Sequence, residues 1–133
     1  MINPERVTVH SDADVVIARQ RGREIASLLG FSASDLALIA TAISELARNI
    51  VLYAGTGEIE IGRVDQKDNQ GIEIVARDQG PGISNVPQAM RDGFSTSGGL
   101  GLGLPGVKRL MDDFEIDSRP GRGTKVTVRR WTR

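Results

Sequence analysis

Glu45 and Asn49 stand four residues apart in a stretch, Ser34 to Tyr53, that reads as one continuous helix. Four residues is just over one helical turn, so both side chains leave the same face from adjacent turns, where a carboxylate and an amide oxygen can converge on one ligand. Leu38, Ala42 and Leu52 share that face and make it too apolar to be simply solvated; something should cover it. A plainer reading stands beside this one: Glu45 pairs with Arg48 or another surface arginine, and Asn49 is an exposed polar residue. The spacing alone leaves both open.

Three glycine-bearing segments follow in order. The first, Asp78-Gln79-Gly80-Pro81-Gly82, comes directly after an apolar strand ending near Ala76. A carboxylate at a strand end can accept the exocyclic amine of adenine, and glycines let the backbone approach a planar base with no Cβ in the way. The same residues are also good turn chemistry. The second, Gly98-Gly99-Leu100-Gly101-Leu102-Gly103, runs into a helix, and the free N–H groups of a helix start form a phosphate cradle reinforced by the helix dipole. Its glycine spacing does not match the dinucleotide fingerprint, and no Gly-Lys-Ser or Gly-Lys-Thr sequence of a P-loop occurs. So many glycines make Ser84 to Ser97 readable as a mobile lid, with a merely flexible linker as the plainer reading. The third, Gly121-Arg122-Gly123-Thr124, is a turn and a hydroxyl before the last strand, and alone it is an ordinary hairpin.

The elements that must position these residues can be read from pattern. Val7 and Val9 alternate as a short strand, Ser11 or Asp12 caps a helix to about Leu29, and Gly30 stops it. Ser32 with Asp35 resembles a capping box that opens the second helix. Glu58 to Ile61 and Gly71 to Ile74 alternate as two antiparallel strands joined through the polar segment Asp65 to Gln70. Leu104 to Met111 reads as a helix with Pro105 in its first turn. Strands around Phe114 to Ser118 and Thr124 to Arg130 close the chain. Helices and hairpins are segregated, so the fold class is α+β: one mixed, mainly antiparallel sheet covered on one face by helices.

With 133 residues, no repeat and no linker, the whole of 1–133 reads as a single domain. The absence of cysteine excludes disulfides, thiolate metal sites and cysteine nucleophiles. Seventeen basic residues balance seventeen acidic ones, which gives no whole-molecule attraction to nucleic acid or anionic membrane. The tail Arg129-Arg130-Trp131-Thr132-Arg133 reads as a solvated end rather than a basic contact patch, and the lone His10 as a surface residue at a strand end. No apolar run approaches a membrane span and no signal peptide is visible, so a cytoplasmic location is expected.

Taken in order, Glu45-Leu46-Ala47-Arg48-Asn49, Asp78-Gln79-Gly80-Pro81-Gly82, Gly99-Leu100-Gly101-Leu102-Gly103 and Gly121-Arg122-Gly123-Thr124 resemble the N, G1, G2 and G3 boxes of the Bergerat-fold ATPases and kinases. That superfamily joins gyrase, heat-shock chaperone, mismatch-repair and histidine-kinase ATP-binding domains, and the resemblance covers nearly the whole chain. Within it, Asp92 to Gly101 followed by Leu104-Pro105-Gly106-Val107-Lys108-Arg109-Leu110-Met111 is similar to the RsbT-type switch-protein serine kinases.

The resemblance implies a Bergerat-fold sandwich with a glycine-rich ATP lid, binding ATP and Mg²⁺. It makes Asn49 the Mg²⁺ ligand and Glu45 the general base for the attacking hydroxyl. Asp78 would hold adenine, Gly80 and Gly82 would pass close to the base and ribose, Gly99, Gly101 and Gly103 would wrap the phosphates, and Thr124 would support the adenine site. The implied substrate is a serine or threonine on a STAS-domain protein of a stressosome scaffold, and the implied second partner is a PPM-type phosphatase that the released kinase activates. Rival readings are an anti-sigma factor of the same fold, which binds a sigma subunit and phosphorylates its antagonist, a detached histidine-kinase catalytic domain, and an interaction module without catalysis.

Overall fold

The computed structural model describes residues 4–81, Met90 and residues 103–132. Its elements are β1 (Glu5–Val9), α1 (Asp12–Leu28), α2 (Ala33–Tyr53), β2 (Gly57–Gln66), β3 (Asn69–Asp78), α3 (Gly103–Leu110), β4 (Asp113–Arg119) and β5 (Gly123–Trp131). The five strands form one sheet in the order β1-β2-β3-β5-β4, and every pairing is antiparallel, so the expected mixed sheet contains no parallel pair among the described residues.

Period-two patterning sorts the two faces. Val7 lies opposite Ile59, Ile61 opposite Ile74, Ala76 opposite Val126, and Val128 opposite both Ile74 and Phe114. These side chains form the core face, on which Ile59, Ile61, Ile72, Ile74 and Val128 are fully buried. Each contributes on the order of 1.5–3 kcal/mol by leaving water. The other face carries alternating charge: Arg6 pairs with Glu60, and Arg129 with Glu73 at 2.7 Å.

Helices α1 and α2 pack on each other and against the core face. Gly22 permits the close approach, because a Cβ there would overlap the Ile43 side chain of α2. On α2 a stripe of Ile39, Ala40, Ile43, Ala47 and Ile50 is buried, while Leu36 is partly buried. By length, and with a mean hydropathy of 1.4, α2 also meets the requirement for a membrane span, which the sequence reading missed because Ser44, Glu45, Arg48 and Asn49 interrupt any apolar run. Half of that stretch is buried inside the protein, as suits a core helix.

Differences from expectation lie at element ends. The β2–β3 connection is Lys67-Asp68 alone, with Lys67 left-handed at φ 54°, rather than the whole of Asp65 to Gln70. Those polar residues continue the ladder beyond the core, where pairing persists but apolar alternation has ended. Ser32 caps α2 by accepting the Asp35 N–H at 3.2 Å, but Asp35 does not complete a box; its carboxylate accepts from Arg130 instead. At α1, Ser11 is the N-cap without a side-chain cap bond, and Asp14 reaches back to accept the His10 N–H at 3.0 Å. The tail is no solvated end: Arg129, Arg130 and Trp131 belong to β5, and the Trp131 indole N–H donates to Asp113.

Candidate active site

The α2 helix presents Glu45 from its buried side. Glu45 is only 4% exposed, and one carboxylate oxygen accepts from Arg48 Nη1 at 3.0 Å. The plain pairing anticipated from sequence is therefore present, yet it is not a surface pair, since the arginine side chain is 36% exposed and the glutamate 5%. A buried carboxylate is costly unless held by hydrogen bonds or charge, and Arg48 supplies both to one oxygen. The second oxygen has no hydrogen-bond partner among the described residues. Asn49 is half-buried one turn further on, about 6 Å along the axis.

Asp78 ends β3 beside the last turns of α2. Gly57, paired with Asp78, has room for no side chain, because a Cβ would lie 2.7 Å from Ile50 Cγ2 and 3.2 Å from Asp78 Cβ. Gly80 packs in the same way on Ala54, whose Cβ would be 2.7 Å from an added one. The foot of α2 and the Asp78 strand end are thus locked together by close contact. One Asp78 oxygen accepts the Gly80 N–H at 2.9 Å, and the other has no partner among the described residues.

The third glycine segment closes on the first. Gly123 adopts φ +83°, and a Cβ there would overlap the Asp78 carbonyl oxygen, so both conformation and space require glycine. The Gly121 N–H donates to the Pro81 carbonyl at 2.7 Å. Thr124 lies opposite Asp78 in the ladder and on the same core-side face as Val126; its hydroxyl shares a 2.7 Å hydrogen bond with Ser118. Gly103 opens α3 with φ 51° and is buried, followed by buried Leu104 and Val107.

The structure therefore brings Asp78, Gly80 and Thr124 together at the foot of the helix that bears Glu45 and Asn49, and puts Gly103 at the start of α3. Gly82, Gly99 and Gly101, and all but Met90 of the lid expected from Ser84 to Ser97, lie outside the described residues. Sequence reasoning missed Ser118, Gly57 and Ala54, whose parts depend on contacts that no local pattern announces. The donor set suits a metal nucleotide. No cluster of three or more acidic or histidine side chains occurs among the described residues, and a single amide oxygen, that of Asn49, fits Mg²⁺, which keeps most of its ligands as phosphate and water.

A family model described as histidine kinase-, DNA gyrase B-, and HSP90-like ATPase matches residues 34–132. The chain is 55% identical over 127 residues to the serine/threonine-protein kinase RsbT of Bacillus subtilis (strain 168), covering 96% of each chain. It is 33% identical over 102 residues to an anti-sigma F factor of Caldanaerobacter subterraneus, covering 73% of this chain and 71% of that one. Among solved structures, a mycobacterial sensor histidine kinase, MprB, superimposes with a TM-score of 0.55 over 98% of this chain and 97% of that one, at 20% identity, a likeness of fold.

Proposed function

The chain belongs to the histidine kinase-, DNA gyrase B- and HSP90-like ATPase family, within its RsbT-type serine/threonine kinase branch, and we propose that it phosphorylates a serine or threonine of STAS-domain partners at the site formed by α2, β3 and β5. The supporting observation is the junction of Asp78, Gly80 and Gly123 at the foot of the helix that buries Glu45 and carries Asn49. Phosphoryl transfer asks a protein for positioning and charge stabilisation rather than covalent chemistry, and this arrangement offers both.

Bound ATP with Mg²⁺ supplies the transferable phosphoryl group. Asp78 would accept the exocyclic amine of adenine through the oxygen not engaged by Gly80, while Gly80 and Gly82 would admit the base. Asn49 would contribute its amide oxygen to the metal. Gly99, Gly101 and Gly103 would wrap the phosphates, with the N–H groups at the start of α3 set to face negative charge. Thr124 supports the adenine side through its hydroxyl. Glu45 takes the proton of the attacking hydroxyl on the carboxylate oxygen that Arg48 leaves open, and Arg48 fixes the orientation of that carboxylate.

In this reading the partners are STAS-domain scaffold and antagonist proteins of a stressosome, and the released kinase binds and activates a PPM-type phosphatase in a cytoplasmic sigma-factor stress pathway. The anti-sigma relatives favour a second reading, in which the chain binds a sigma subunit and phosphorylates its antagonist. Incubation of the purified chain with a STAS-domain protein, a sigma subunit and labelled ATP separates the two. The kinase reading expects acid-stable label on a serine or threonine of the STAS protein and no saturable sigma binding. Saturable sigma binding points to the second reading, and acid-labile label refutes both.

A further inference from the structure

We infer that Arg130 is a positioning residue that fixes the helix bearing Glu45 and Asn49 against the helix entered from the glycine loop. The inference rests on the kinase reading for its functional consequence but not for its geometry.

Arg130 lies opposite Ile72 in the ladder and in line with Val126 and Val128, so it belongs to the sheet face that the helices cover. Its side chain is 20% exposed and reaches two helix ends at once. Nη2 donates to the Asp35 carboxylate at 2.8 Å, in the first turn of α2, and Nη1 donates to the Leu110 carbonyl at 2.6 Å, the last residue of α3. Each contact suits a helix terminus: a carboxylate is favourable at an N-terminus and a cation at a C-terminus. The rigid guanidinium plane holds the two acceptors in one geometry, which a lysine ammonium cannot reproduce.

Stability alone does not account for this choice. Arg130 Nε is buried and has no hydrogen-bond partner among the described residues. An apolar side chain in the row of Val126 and Val128 would avoid that desolvation, and buried ion pairs are often no more stabilising than apolar packing. The Asp35 carboxylate is likewise diverted from the capping role its spacing predicts, where it would have bonded back to Ser32. Both departures from local preference converge on one contact, and that contact joins the two helices with proposed roles. From it, α2 leads about 15 Å to Glu45 and α3 about 10 Å to Gly103. A small rotation at the clamp is therefore carried as a displacement of base and metal ligand against the phosphate-binding loop.

The chain has no cysteine, so Ala37→Cys on α2 and Lys108→Cys on α3, both exposed, give two unique spin-label sites in the full protein. In this background a single narrow distance is expected. Adding Arg130→Gln should broaden or shift the distribution, with Asp35→Asn acting in the same direction and Arg130→Lys falling between. In the unlabelled chain the same variants should lower the transfer rate about 10- to 100-fold, as a misplacement of about 1 Å does, with Arg130→Lys recovering part of it. If Arg130→Gln fails to fold, Arg130→Lys and Asp35→Asn carry the comparison. Distances and transfer unchanged, with only the melting temperature lowered, would overturn the inference. A wild-type chain that neither binds nor uses ATP would instead remove the kinase reading and leave the distance result to judge the clamp alone.

Discussion

Replacing Gly123 by alanine should damage this protein more than the same change at Gly121, two residues away, and the difference measures how tightly the third glycine segment presses on Asp78. Both glycines have left-handed backbone, φ +83° and +76°, so alanine at either one meets strain of about 1–2 kcal/mol. At Gly121 nothing lies within 4 Å of the added Cβ, and strain is the whole effect. At Gly123 the Cβ overlaps the Asp78 carbonyl oxygen and lies 2.9 Å from both Asp78 C and Gln79 Cα, all backbone atoms that cannot rotate aside. Overpacking of this kind adds about 1–3 kcal/mol. The sums are about 2–5 kcal/mol for Gly123→Ala against about 1–2 for Gly121→Ala. For a chain of this length that separates the melting temperatures by roughly 5–10 °C. Denaturant and thermal unfolding followed by circular dichroism read the stability, and calorimetric titration reads ATP. Because relief requires the end of β3 to move, Gly123→Ala should also weaken ATP binding by about 10-fold at a temperature where it is folded. Equal losses at the two positions, or a destabilised Gly123→Ala with wild-type ATP affinity, would refute the reasoning.

Three further outcomes follow from the same geometry. Glu45→Gln keeps the shape and the Arg48 contact but cannot take a proton, so ATP affinity should hold while transfer falls about 10²- to 10⁴-fold; wild-type transfer would remove Glu45 from the base role. Asp78→Asn can still accept the Gly80 N–H, yet loses a charge-assisted bond to adenine, so ATP affinity should drop about 10- to 100-fold; an unchanged preference for ATP over GTP would contradict the assignment. Asp14 is held below its ordinary value of 3.8, first by the His10 backbone N–H. A depressed carboxylate stabilises the fold above its unfolded pKa and loses that contribution as pH falls through the folded value. The stability gap between wild type and Asp14→Asn at about pH 6 should therefore shrink below the ordinary carboxylate range, and a gap constant with pH would sink this.

Much of this was legible in the sequence where the signal is local. Alternation located β1, β2 and β3, and the Ser32 cap located the start of α2. The face shared by Glu45 and Asn49 followed from helical spacing; the cover its apolar neighbours called for is present over Ala42 and Glu45, while Leu52 remains exposed. What the sequence concealed depends on contacts between distant residues. Arg130 sits in a run of basic residues that looks like a solvated tail, and its partner Asp35 is 95 positions away. The pressure of Gly123 on Asp78 and of Gly80 on Ala54 arises only once β3, β5 and α2 are docked. The hairpin turn was misjudged for a related reason, since polar residues past the edge of the core can still pair.

The most direct test of the site is a structure of the chain with Mg²⁺ and a non-hydrolysable ATP analogue. Asn49 Oδ1 should lie at about 2.0–2.1 Å from the metal. The adenine amine should be within hydrogen-bond distance of Asp78, and the Glu45 carboxylate should face the terminal phosphate. A nucleotide bound elsewhere on the sheet, or one held with Asn49 and Asp78 both uninvolved, would contradict the account.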